Sequence, residues 1–170
     1  MADAIKGSII FVLSNFPLTF FVIGLIASGV AILRGPVTRA RVLEKLIAWH
    51  VFWAIGISFL YNFVMHVFFG QMAAAFIGWA DSPFQFEVGT ASLGFAVVAF
   101  LATFRSFDFR LAAVTGPAMF TLGAAVGHVR QMVVAHNFAP GNAGVIFYMD
   151  IIIPLFGWTI LALQDRETRR

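Results

Sequence analysis

Residues 8–33 read SIIFVLSNFPLTFFVIGLIASGVAIL, and not one of them is charged. Ser14, Asn15, Pro17, Thr19 and Ser28 are the interruptions. A helix needs about 20 mostly apolar residues to cross a bilayer. The apolar core of a secretory leader is shorter, roughly 7–15 residues. The run is too long for a leader and long enough for a span, so it predicts a retained transmembrane helix.

The same pattern recurs at 45–69, 84–104, 110–135 and 143–164, which makes five predicted spans. Local chemistry sets the breaks. Gly35-Pro36 ends the first, because a residue before proline disfavours the helical region and proline cannot continue the ladder. Asp81-Ser82-Pro83 opens the third, with Ser82 and Gln85 spaced as a capping box. Ala139-Pro140-Gly141-Asn142 is a turn cluster, and Asn142 is expected to N-cap the fifth helix. Residues 71–79 predict a short interfacial helix after a break near Gly70, with Phe76, Ile77 and Trp79 inward. The expected fold is therefore all-α, a polytopic transmembrane bundle of five spanning helices plus a short interfacial helix. No linker divides residues 1–170, so a single integral membrane domain is expected.

Composition agrees. The chain is 61% hydrophobic and 11% charged, with a mean hydropathy of +0.91, which excludes an ordinary soluble domain. The pI of 10.0 does not point to nucleic acid, because the basic residues sit between apolar spans. There is no cysteine, so disulfides, thiolate metal sites and cysteine nucleophiles are out. Arg34, Arg39, Arg41, Lys45, Arg105, Arg110, Arg166, Arg169 and Arg170 fall on one side of the predicted bundle, and only Lys6 and Arg130 on the other. Basic loops stay cytoplasmic. The expectation is a multi-pass protein with its N-terminus outside and its C-terminus inside. Trp49 and Trp53 fit a cytoplasmic aromatic belt and Trp79 an outer one.

At Tyr61-Asn-Phe-Val-Met-His66, Ser82-Pro-Phe-Gln-Phe-Glu-Val-Gly89 and Asn137-Phe-Ala-Pro-Gly-Asn-Ala-Gly144, the chain resembles a family of small uncharacterised bacterial integral membrane proteins, a domain of unknown function. The resemblance implies the membrane class and the bacterial inner membrane. It carries no activity.

Polar residues inside the spans gather toward the outer end: Asn62, His66, Glu87, His128, Gln131, His136, Tyr148 and Asp150. Ionisable groups in a membrane are costly and mark function by default. Asn62 and His66 share a helix face, as do His128, Gln131 and His136. Asp150 lies eight residues past Asn142, roughly 12 Å deep. Pro154 removes the amide that would bond the Asp150 carbonyl, leaving an acceptor beside a carboxylate. His66, Glu87, His128 and Asp150 are metal-ligand types, and together they predict one site for a transition-metal ion. Asn62, Gln131, His136 and Tyr148 would support it. A haem between His66 and His128 uses the same residues, with Gly116, Gly123, Ala124, Ala125 and Gly127 letting a macrocycle approach. The Gly123–Gly127 spacing also suits close helix packing. The bland alternative is a set of interhelical hydrogen bonds, each of roughly 0.6 kcal/mol.

His50 lies 16 residues from His66, roughly 24 Å along a helix, and is expected at the cytoplasmic interface. Arg130 is expected to reach the outer headgroups or Asp81. Asn15 and Pro17 are expected to bend the first helix and bring Asn15 to the polar cluster. Three functions remain open: a metal- or haem-binding protein, with or without redox activity; a proton- or cation-coupled transporter or channel; and a non-catalytic accessory or lipid-binding subunit. The lipid bilayer is the expected partner. A homo-oligomer or a membrane complex stays open.

Overall fold

Thr38 Oγ1 accepts a hydrogen bond from the Arg41 amide at 3.3 Å, and this cap starts the second long helix at Arg39. The apolar run alone suggested position 45. The computed structural model describes residues 2–168. Arg169 and Arg170, part of the basic tail, lie outside the described residues. The chain runs as α1 (Ala2–Ser14), α2 (Phe16–Leu33), α3 (Arg39–Trp49), a π-helical segment (His50–Ile57), α4 (Ser58–Phe68), α5 (Gly70–Ile77), α6 (Phe84–Ala102), α7 (Phe107–Ala135), α8 (Pro140–Ala143) and α9 (Val145–Thr168). Among the described residues there is no strand. Five helical stretches are long and apolar enough to cross a membrane: Phe16–Leu33, Arg39–Phe68, Phe84–Ala102, Phe107–Ala135 and Pro140–Glu167. This is the all-α, multi-pass bundle that the sequence predicted.

The spans alternate in direction. α2, α6 and α9 run toward the end that holds Arg34, Arg39, Arg105 and Arg110, here the basic end. The Arg39–Phe68 stretch and α7 run away from it. Leu43, Ile47, Val51, Ile55 and Phe59 form the inward stripe of the second span. A spacing of four drifts about 40° per step round an α-helix. The wider π turns between His50 and Ile57 move the stripe back, so one face stays in the core. Small residues let the neighbours close in: Ala96, Ala99 and Ala102 of α6 are fully buried against this stripe.

Arginines tie the basic end together. Arg41 donates to the carbonyls of Ala31 (2.8 Å) and Ile32 (3.3 Å) at the C-terminus of α2. Arg110 does the same for α6, donating to the carbonyls of Thr103 (2.9 Å) and Ala102 (3.4 Å). A cation suits the negative end of a helix. Arg110 also pairs with Glu44 of α3, whose Oε2 accepts from Gln164 Nε2 of α9 at 3.1 Å. Four spans therefore meet at one ion pair.

Several local expectations change. The first helix breaks at Asn15, but the Asn15 side chain donates to its own helix, at the Phe11 carbonyl (2.9 Å), and does not join a cluster. The Ser82–Gln85 capping box does not form, because Gln85 turns to His66 instead. Asn142 is not an N-cap: it sits within α8, fully buried, with its side chain in a network described below. The short helix after Gly70 is present as α5, closed by Gly78 in the left-handed conformation (φ 75°). Ala73 and Ala74 are its buried residues, while Trp79 is 37% exposed. Gly123 meets no neighbouring helix, so the Gly123–Gly127 pattern does not form a packing seam.

Candidate functional site

Asn137 builds the frame of the site. Its side-chain amide donates to the carbonyls of Ile77 (3.0 Å) and Gly78 (3.1 Å), and its Oδ1 accepts from the Ala139 amide (3.0 Å). The chain leaves α7 through His136 in the left-handed conformation (φ 50°), folds back, and seats α8 beneath α5. There is room because Gly141 has no Cβ: one would lie 2.7 Å from the Phe76 carbonyl oxygen. Asn142 is thereby carried into the interior at 0% exposure.

The Asn142 side chain is fully committed. Its Nδ2 donates to the carbonyls of Asn137 (2.9 Å) and His128 (3.3 Å). Its Oδ1 accepts from Trp79 Nε1 (2.9 Å) and contacts His128 Nδ1 (2.8 Å). Two carbonyls fix which end of the amide is nitrogen. The oxygen must then face His128, and an amide oxygen only accepts, so Nδ1 of His128 carries a hydrogen. The other ring nitrogen, Nε2, faces Asp150 Oδ2 at 3.5 Å. The Trp79 ring lies against the imidazole, centroids 5.5 Å apart, and its far edge passes over Gly127. The His128 and Asp150 side chains are 6% and 13% exposed.

This arrangement has a chemical consequence. With Nδ1–H fixed, the Nε2···Oδ2 contact is favourable only with one proton in it: imidazolium against carboxylate, or neutral imidazole against carboxylic acid. Without that proton a lone pair faces an anion away from water, which is costly. The pair is a one-proton store whose geometry is held by an amide that cannot titrate.

The other expected ligands go elsewhere. His66 of α4 pairs through Nδ1 with Gln85 Oε1 of α6. Asn62, one turn earlier, donates to Ser92 Oγ at 2.9 Å, so the two pairs tie α4 to α6. Glu87 is exposed on α6. Tyr148 is 58% exposed, and His136 is exposed at the end of α7. Gln131 takes part through its carbonyl, which accepts the Asn137 amide at 3.2 Å. Among the described residues no three His, Asp or Glu side chains converge as a metal-ligand group. The expected four-residue site of His66, Glu87, His128 and Asp150 therefore resolves into His128–Asp150, His66–Gln85 and an outward Glu87. Residues sharing an axial level need not share a face, and helix rotation separates these. Among the described residues the metal-ligand group is not assembled, and the two histidines expected to flank a haem are engaged by Gln85, Asn142 and Asp150. Arg130 is exposed and forms no ion pair with Asp81 among the described residues.

Residues 14–170 match the family of unknown function DUF6790. The chain belongs to that family. No curated protein and no solved structure matches it. The match spans everything from the end of α1 onward, so the His128–Asp150 pair and its Asn142 and Trp79 supports all lie within the DUF6790 region.

Two features of this DUF6790 chain were not legible beforehand. Asn142 and Trp79 read as a cap and an interfacial anchor, because only the folded-back loop makes them neighbours of His128. His50 read as an interfacial histidine but is 3% exposed, with no hydrogen bond at either ring nitrogen. Trp53, read as a belt residue, likewise has its indole nitrogen buried without a partner and stacks on Phe20, centroids 6.3 Å apart. The only sequence signal was the pairing of His50 and Trp53 in one apolar run.

Proposed function

We propose that this chain is a proton-translocating protein of the bacterial inner membrane, a single integral domain with its basic end cytoplasmic. The observation that carries the reading is the His128–Asp150 contact, in which Asn142 leaves room for one titratable proton. A buried ionisable pair in a membrane span is costly to keep for packing alone. Its place between α7 and α9, beyond the middle of each span from the basic end, suits a proton taken from the outer aqueous face. The bias of basic residues to the opposite end supports the orientation.

The full chain reconstituted in phosphatidylcholine liposomes with an entrapped pH dye tests this. A potassium diffusion potential should drive proton entry into wild-type vesicles. Asp150→Asn and His128→Phe should abolish it, and Asp81→Asn, an exposed carboxylate outside the network, should leave it intact. Wild-type vesicles as proton-tight as protein-free ones would overturn the proposal.

A further inference from the structure

Among the described residues four buried side-chain polar atoms have no hydrogen-bond partner: both ring nitrogens of His50, the indole nitrogen of Trp53 and Oε1 of Gln164. Three of the four belong to the π-helical segment His50–Ile57. Buried polar groups are nearly always paired, so a cluster of unpaired ones within a π-helical segment asks for a role.

The fifth span supplies the context. Asp150, Gly157 and Gln164 are spaced by seven and so lie on one face of α9, about 10 Å apart at each step. Asp150 meets His128. Gly157 meets His50: a Cβ there would stand 3.0 Å from His50 Nε2 and 2.9 Å from Val114 of α7. Gln164 meets Glu44. One face of one helix thus passes an ionisable or polar partner at each of three levels. Phe21 of α2 and Phe156 of α9 pack on the His50 ring with centroids 6.0 Å and 5.1 Å away, and the backbone of Ile153 is the polar group beside it, without forming a well-aligned hydrogen bond.

A cavity lies between the first two levels. Ile153 and Pro154 of α9, and Val114, Pro117 and Thr121 of α7, line it, and its volume of about 10 Å³ is room for the centre of one water. Both prolines lack an amide, which releases the carbonyls of Ala113 and Asp150 from the helix ladder near this cavity. Thr121, whose hydroxyl donates to the Ala118 carbonyl at 3.3 Å, is the polar side chain of that lining. On the basic side of His50, Ile47 and Leu161 are each at most 1% exposed, so the way to the basic end is closed in this conformation.

We propose that His50 is the second station of the proton path, reached from the His128–Asp150 pair through the cavity under Pro154, with the path closed beyond it in this structure. The inference rests on the proton-translocation reading. A proton leaves the pair, which becomes neutral imidazole and carboxylate, and binds the free nitrogen of the His50 ring to give imidazolium. Loss of the proton from the opposite ring nitrogen restores a neutral ring. Water is the one co-reactant: it delivers the proton to the His128–Asp150 pair, and it takes the proton from His50 once the closed side opens.

The test again uses the full chain in phosphatidylcholine liposomes. His50→Gln is expected to lower proton flux at least about tenfold, the effect of ~1.4 kcal/mol on a barrier, with helical circular dichroism unchanged. Gly157→Ala, which crowds Nε2 without removing a titratable group, is expected to lower flux as well. If Asp150→Asn abolishes flux and His50→Gln retains it, this inference fails and the reading of the pair stands. A wild type without flux removes both. Should His50→Gln fail to fold, hydrogen–deuterium exchange at the His50 ring, followed by nitrogen NMR, decides. Exchange is expected to slow at least about tenfold in Asp150→Asn. Equal rates in the two proteins would overturn the inference.

Discussion

Arg110 and Glu44 form a two-pronged ion pair, Nη1 to Oε2 at 2.6 Å and Nη2 to Oε1 at 2.8 Å, although one residue belongs to α7 and the other to α3. The arginine is 3% exposed and the glutamate side chain 38%. Removing one partner of a buried pair costs about 3–5 kcal/mol. Glu44 is partly wetted, so Glu44→Ala is expected at about 2 kcal/mol. Arg110→Lys loses the fork and the α6 carbonyl bonds together, and should not recover wild-type stability. Thermal unfolding in detergent checks both, and a midpoint unchanged in either variant would contradict the clamp.

Asn142→Ala leaves the buried donor of His128 and the part-buried donor of Trp79 without their acceptor. Each orphaned group costs roughly 1–3 kcal/mol, so the variant should lose at least about 2 kcal/mol. It also releases the tautomer of His128. Proton flux should fall with it, even though neither His128 nor Asp150 is touched. Retained stability with retained flux would show that the amide does not hold the pair.

Gly141→Ala tests how the loop is seated. A Cβ would come 2.7 Å from backbone at Phe76, and such overpacking costs about 1–3 kcal/mol. The expected outcome is a loosened α5–α8 contact, read as faster proteolysis between residues 70 and 82. Unaltered proteolysis would mean that the close approach is absent.

Asn62→Leu should be mild. Interhelical hydrogen bonds in membranes average about 0.6 kcal/mol, and the His66–Gln85 pair still joins α4 to α6. A loss above ~2 kcal/mol would give this face a larger role than packing.

The proposed orientation is checked by cysteine labelling in intact cells, with no native cysteine to interfere. A cysteine at Thr38 should be shielded from an impermeant reagent added outside, and one at Pro140 should react. The reverse pattern would invert the topology.

The sequence carried the spans well because length and apolarity are local properties. The third span ends within two residues of the expected position, and α5 lies where Gly70 and Gly78 bracket it. Starts were less legible where a cap, not hydropathy, decides. Thr38 moved one helix start from 45 to Arg39, and α7 begins at Phe107 rather than 110. Of the expected site, His128 and Asp150 come together while His66 and Glu87 do not. The sequence supplied their axial level but not their rotation about the helix axis.

That division has a physical cause. Composition, the order of the five spans, their breaks and the charge bias follow from residues acting one at a time or on near neighbours, and the chain alone determines them. Which polar atoms meet depends on helix rotation, which the π-helical turns at His50–Ile57 shift, and on a loop that returns Asn142 to the core. It depends as well on the absence of a Cβ at Gly157, which makes space for an imidazole more than 100 residues away in the chain. Those are sums over many weak contacts between distant segments, and only the packed tertiary structure decides them.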